Sequence, residues 1–256
     1  MNRERAVRLA VVAAFAALIA CAVLLAPAEI HWDRAWAHRR LFLDGLATTA
    51  AISAGALVLG LVFGACAGLA RSSSSAALDQ AAFTYVELVR GTPFLVQLYV
   101  LYFCVSHQLP PDALGRAEAV VVGIVGLGLF SGAYVAEMVR AAVESIDRGQ
   151  WEAARSLGLT HSQTLFRVIL PQSVRSMIPP LTGEAVSLVK ESSLLSVIGV
   201  AEMTYHAKGL ASQGDTFAAY LPLAALYLLV TLPLSWLTRR LERRLGPPAQ
   251  MPVAKL

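Results

Sequence analysis

Late in the chain, Glu184, Lys190, Glu191, Ser192 and Ser193 sit in a stretch (residues 178–203) that is otherwise apolar enough to enter a bilayer. A lone charge at the centre of a span costs roughly 2.5–3.5 kcal/mol on insertion scales, so such residues are kept only with a purpose or a partner. Lys190 and Glu191 are sequence neighbours; on a helix their side chains diverge and need not pair with each other. Each then faces a polar cavity, another helix or a second subunit. The chemistry on offer is non-covalent: an ammonium for a carboxylate, a carboxylate for an ammonium, hydroxyls around both. A zwitterionic solute suits that lining. The alternative is that the span begins later and these charges lie nearer its inner end as structural pairs.

Covalent, metal and nucleotide chemistry find no footing. Cys21, Cys66 and Cys104 all fall in apolar segments, with no C-x-x-C pair and no His at metal-ligand spacing. They read as small buried residues. No Gly-x-x-x-x-Gly-Lys-Ser/Thr phosphate loop occurs, so the energy for uphill movement must come from another subunit or an ion gradient. The chain is therefore read as a non-enzyme that needs no cofactor.

A second segment carries a different chemistry, that of docking. Between two strongly apolar stretches lies a polar insert, residues 144–172. Gln150 to Leu157 reads as a short helix, and Gly158 supplies the left-handed residue that ends it. Thr160 caps a second helix, with Gln163 three residues on in a capping-box pattern. That helix, running through Leu170, places Leu165, Val168 and Ile169 on one apolar face, and Pro171 marks its end or a kink. Ala153 and Ala154 are small enough for another surface to approach closely. Trp151 and Leu157 serve as anchors, and Glu152 offers one directed charge to a basic partner. Arg148 and Arg155 answer acidic groups. Such a helix–Gly–helix elbow transmits push and pull as a rigid body, as coupling to a motor requires. The competing reading is an amphipathic pair lying on the membrane.

These segments must be held by membrane-spanning helices. Of the 256 residues, 57% are hydrophobic and 15% charged, against about 25% charged in soluble domains. A span needs ~20 mainly apolar residues, which predicts six: residues 7–26, 43–70, 83–107, 119–143, 178–203 and 217–237. With the N-terminus inside, five of the 21 Lys and Arg fall outside (Arg34, Arg39, Arg40, Arg116, Lys208), Lys190 falls within a span, and the remaining fifteen fall inside. The positive-inside rule selects this orientation, with both termini and the elbow in the cytoplasm. The net charge of +4 is spread along span ends and forms no patch for nucleic acid. Leu18-Ile19-Ala20-Cys21 has the form of a lipoprotein cleavage site, but the apolar run continues through Ala26, and the segment is read as a retained anchor.

Three local patterns set expectations for helix contacts. Gly60, Gly64 and Gly68 recur at intervals of four, a face for close helix approach, and Gly128 and Gly132 repeat the device. The seam lies either within one subunit or between two. Glu87 and Arg90 are three apart and can pair; Gly91 and Pro93 predict a bend, with Thr92 satisfying a freed backbone group. Glu137 and Arg140 read as an ordinary pair. Trp32 and Trp36 suit the headgroup level.

The motifs also resemble a known family. Arg90-Gly91-Thr92-Pro93-Phe94-Leu95-Val96-Gln97-Leu98, Gly132 through Arg140, Gly149-Gln150-Trp151-Glu152-Ala153-Ala154, Leu170-Pro171-Gln172, Lys190-Glu191-Ser192-Ser193-Leu194 and Val197 through Glu202 together are similar to the polar amino acid ABC permease family, importers of histidine, arginine, glutamine, glutamate and opines. The resemblance spans about residues 43 to 245. Val168 stands where that family usually has Ile, Gly183 where Asn would precede Glu184, and the first span is extra to its usual five.

The resemblance implies an all-α polytopic transmembrane bundle of the type I ABC importer permease kind, about six spans as a five-span core plus an N-terminal anchor. It divides the chain into an anchor and external linker (1–42), a permease domain (43–245) with its coupling loop at 144–172, and a cytoplasmic tail (246–256). Two permease subunits, identical or homologous, form the path in a prokaryotic cytoplasmic membrane. Two ABC ATPase subunits each receive one elbow at Trp151, Glu152, Ala153, Ala154, Leu157, Gly158, Val168, Leu170 and Pro171. An extracytoplasmic binding protein delivers a polar amino acid, and ATP drives alternating access. A rival secondary transporter would need no elbow, a scaffold would transport nothing, and an ABC permease for another small polar metabolite would share every span.

Overall fold

A computed structural model describes residues 30–108 and 118–245. Every element among them is helical. A short helix, α1 (Trp32–Ala37), leads into α2 (Arg39–Arg71). Then come α3 (Ala76–Arg90), α4 (Phe94–Gln108), α5 (Glu118–Glu144), α6 (Arg148–Ser156) and α7 (His161–Thr164). A π-helical turn, Leu165–Ile169, joins α7 to α8 (Leu170–Glu191). A 3-10 turn, Ser192–Ile198, precedes α9 (Met203–Ala211) and α10 (Thr216–Leu245).

By length and composition, α2, α5 and α10 can each cross a membrane, and α3 with α4 makes a fourth candidate bent by 105°. The spans expected at 43–70, 119–143 and 217–237 are thus each a continuous helix. The span expected at 83–107 is broken at the foreseen bend. Thr92 Oγ1 donates to the Leu88 carbonyl at 2.9 Å, and Gln97 Nε2 donates to the Val89 and Thr92 carbonyls, so backbone groups freed by Pro93 are satisfied. Arg90 does not turn to Glu87 as expected; its guanidinium lies 3.4 Å from Glu137. The expected span at 7–26 lies outside the described residues.

The stretch 178–203 is corrected more deeply. Its helix begins earlier, at Leu170, and stops at Glu191; a 3-10 turn follows, closed by Gly199 at φ +87°. The hydroxyls of Ser192 and Ser196 donate to the carbonyls of Val189 and Ser193, the local side-chain competition that disfavours a continuing α-helix. At 22 residues α8 is long enough to span, but α8 is not among the described helices that qualify on composition as well.

The centre of the bundle is the α2–α5 seam. Gly60, Gly64 and Gly68 are buried against Ser131, Val135 and Val139 of the same chain, while Gly128 faces Leu59 and Gly132 faces Phe63. The four-residue glycine spacing therefore builds a contact within one subunit. Around it Ile52, Ala56, Leu98, Leu127, Leu188 and Leu195 form the main apolar core. A second cluster, with Phe42, Met203, Leu210 and Leu223, ties α9 and α10 to the start of α2. Next to this cluster, at the start of α10, buried Asp215 holds α1 through Arg34 and, at 3.2 Å, His31.

Candidate functional site

The elbow is built from local rules. Asp147 caps α6, its carboxylate accepting from Gly149 N–H at 2.7 Å. At the other end Leu159 N–H donates to the Ala154 carbonyl and Gly158 N–H to the Arg155 carbonyl, a Schellman ending. It needs a left-handed residue, and Gly158 has φ +79°. Thr160 and Gln163 form the expected capping box, with Gln163 Oε1 accepting from Thr160 N–H at 2.9 Å.

Pro171 does not end the second arm. It occupies the first turn of α8, and the widened turn of Leu165–Ile169 lies directly before it. A proline ring collides with the carbonyl four residues back and donates nothing to it; a π-turn opens that strained register without stopping the helix. The second arm is therefore continuous with α8, the helix that carries Glu184, Lys190 and Glu191.

Side chains of the elbow divide into two sets. Inward, Leu165 and Ile169 are buried with Val143, and half-buried Val168 and Trp151 join them. Trp151 stacks on His161 with ring centroids 5.3 Å apart, so the expected outward anchor is turned into the elbow. Ala154 is buried as well, leaving Ala153 and Glu152 on the outer surface. Outward, Leu157 is 82% exposed at the tip and Phe166 is 55% exposed. Leu170 is half-buried and Pro171 exposed. Phe166 went unnoticed in the sequence, where its i,i+3 spacing to Ile169 places it with the apolar face; the π-turn sets it outward. His161 Nε2 donates to the Ser72 carbonyl at 2.9 Å, a tie between the elbow and the α2–α3 turn that no local pattern announces.

The polar helix gathers only part of its expected set. Glu184 and Ser192 are buried, Glu191 and Ser193 are half-buried, and Lys190 is exposed. Glu184 and Glu191 are two helical turns apart and share a face, whereas Lys190 points elsewhere. Near α8 a cleft of about 230 Å3 runs between α2, α8 and α10, lined by Thr49, Ser53, Ala185, Val189, Val230 and Leu234 among others; Glu184, Lys190 and Glu191 do not line it. Glu202, quoted only as part of a motif, is a fully buried cap of α9 that accepts from Tyr205 N–H and the Tyr227 hydroxyl.

Residues 42–247, from the start of α2 to beyond α10, match the sequence model of the family described as the inner membrane component of binding-protein-dependent transport systems. This chain belongs to that family. Among other members, the glutamine transport system permease protein GlnP of Escherichia coli K12 is 37% identical over 218 residues, covering 85% of this chain and 98% of its own. The L-cystine transport system permease protein TcyB of Bacillus subtilis is 36% identical over 190 residues, 73% of this chain and 79% of its own. A chain from the crystal structure of an amino acid ABC transporter with histidines superposes with a TM-score of 0.75 at 35% identity, covering 84% of this chain and 99% of the other. As an inner membrane component of a transport system, the chain is a membrane-spanning transport subunit, and its elbow lies within the matched region.

Proposed function

We propose that this chain is the permease subunit of an ATP-driven importer that carries a polar amino acid inward by alternating access. The observation that carries the proposal is the elbow: an exposed Leu157 and Glu152 on a capped, glycine-hinged helix whose second arm is continuous with α8. An exposed apolar anchor beside one charge is the composition of a docking hot spot. Its continuity with α8 gives a docked motor a lever into the bundle. Relatives named for glutamine and L-cystine transport support an amino acid as cargo. Under this reading two ATPase subunits dock at the elbows of two permeases, the second a copy or a homologue. A binding protein delivers cargo from outside, and both termini lie in the cytoplasm.

The test is to purify the chain with its ATPase in nanodiscs and measure ATP hydrolysis with a binding protein loaded with each of the twenty amino acids. Stimulation by one loaded form supports the importer and names the cargo. A complex that no loaded form stimulates keeps the assembly and points to a different cargo or a missing permease partner; failure to form a complex rejects the docking role of the elbow.

Two variants probe the named residues. Leu157→Asp removes the exposed anchor without touching the core. It is expected to weaken ATPase co-purification by roughly tenfold or more, about what loss of an interface anchor costs, with unchanged thermal stability. Retained co-purification counts against Leu157. Lys190→Met removes an exposed charge at the end of α8 and is expected to lower uptake if Lys190 lines the path between two subunits. Unchanged uptake kinetics assigns Lys190 to structure.

A further inference from the structure

At the inner end of α5, the Glu137 carboxylate is surrounded by three guanidinium groups. Arg140, one turn on, donates to both oxygens at 3.0 and 3.2 Å. Arg90, the last residue of α3, approaches at 3.4 Å, and Arg71, the last residue of α2, at 3.7 Å. Arg71 also donates to Asp79 at 2.8 Å, and Arg140 to Glu144 at 2.6 Å. The ends of three helices thus meet at one carboxylate. Glu137 and Arg71 are only 23% and 17% exposed, so the cluster is a shielded network that fixes how three helix ends sit, not a set of loose surface pairs.

Two of those arginines sit at joints between elements. Arg90 precedes Gly91, where the chain turns by 105° into α4, and its guanidinium lies 5.5 Å over the Tyr134 ring. Arg71 precedes Ser72, whose carbonyl accepts from His161, and His161 carries the Trp151 stack of the elbow. A physical path of direct contacts therefore runs from Trp151 through His161, Ser72 and Arg71 to Glu137 and on to Arg90 at the bend.

We propose that Glu137 is the positioning residue that joins the elbow to the α3–α4 bend, so that displacement of the docked elbow and movement of the bent pair are one motion. This rests on the permease reading above and gives Glu137 no contact with cargo or nucleotide. Without the carboxylate, Arg71 and Arg90 repel, and the elbow moves without carrying the bend with it.

The full chain with its ATPase is reconstituted in liposomes with the binding protein and a labelled mixture of the twenty amino acids, and uptake per ATP hydrolysed is measured for the parent, E137Q, R90Q and the double variant. Complex yield and hydrolysis without binding protein are expected to stay within about twofold of the parent, while uptake per ATP falls at least roughly fivefold in each single variant, the low end of ordinary coupling between sites. The double variant is expected to be no worse than E137Q, because both changes break the same link. Parent-like uptake per ATP in E137Q overturns the proposal. So does a parallel loss of yield, hydrolysis and uptake in both single variants, as a purely structural pair would give. R90Q, whose side chain is 41% exposed, decides the matter if E137Q does not assemble. A parent complex that shows no coupled uptake rejects the permease reading and the joint with it; a coupled parent and an equally coupled E137Q reject the joint alone.

Discussion

Replacing Gly64 with leucine is expected to cost the fold more than any other single change in the bundle. A Cβ at this position would lie 2.4 Å from the Val135 Cβ and 2.7 Å from the Gly132 carbonyl oxygen. Neither is the free end of a flexible side chain, so relief requires α2 and α5 to separate. In a bilayer those helices gain little from apolar burial and hold together through close van der Waals contact. Over-filling a well-packed site by one or two methylenes already costs about 1–3 kcal/mol. Leucine adds four carbons, and the seam also buries Gly60 and Gly68 one turn to either side. The expected result is loss of monodisperse protein after detergent extraction, or a melting temperature far below that of the parent. Gly209→Ala is the control: nothing lies within 4 Å of its added Cβ, and alanine favours a helix interior by up to about 1 kcal/mol over glycine. A Gly64→Leu variant that melts with the parent would remove the α2–α5 seam from the account of stability.

What could be read in the sequence was what depends on neighbours a few residues away. The left-handed Gly158, the Thr160–Gln163 box and the bend after Arg90 each follow from groups within one or two turns, and each is present. The glycine face of α2 was legible as a contact, but its partner was not, because small residues allow close approach without naming what approaches. Trp151 shows the same limit. Its size and position on a docking helix suggested an outward anchor, whereas stacking on His161, ten residues on, turns it inward. Arg90 was paired with Glu87 because the spacing permits it; the structure gives it Glu137, 47 residues away. Pro171 allows an end or a kink from sequence alone, because the π-turn that absorbs it has no sequence signature as firm as a cap. The run 178–203 was read as one span from composition, and the serines that turn it into a 3-10 segment act through hydroxyl–carbonyl bonds. For the candidate site, then, the caps and the Leu165–Val168–Ile169 face were legible, while the π-turn and the inward turn of Trp151 were not.

Gly158→Pro is the second large effect, and its expected readout is function, not folding. Proline holds φ near −65°, whereas residue 158 has φ +79°. Proline also lacks the N–H that Gly158 donates to the Arg155 carbonyl at 2.9 Å. It disfavours the helical conformation of the residue before it, here Leu157 at φ −83° and ψ 6°, the tip that carries the exposed anchor. Three independent constraints therefore refuse proline, and the angle between α6 and the second arm must change. The seam glycines Gly60, Gly64 and Gly68 pack on Ser131, Val135 and Val139, and nothing lies within 4 Å of a Cβ at Gly158, so membrane insertion and the apolar core are expected to survive. Uptake driven by ATP is expected to fall to background. Gly158→Ala should fall between, since a left-handed alanine costs roughly 1–2 kcal/mol but keeps the N–H. Glu152→Lys, on the exposed face of α6, inverts the one directed charge the elbow offers and is expected to block uptake without moving the turn. Wild-type uptake by a correctly inserted Gly158→Pro protein would mean that the elbow's shape does not matter to transport. Loss in Gly158→Pro with full activity in Glu152→Lys would place the docking contact on Leu157 and the apolar face, and reduce the charge to a bystander.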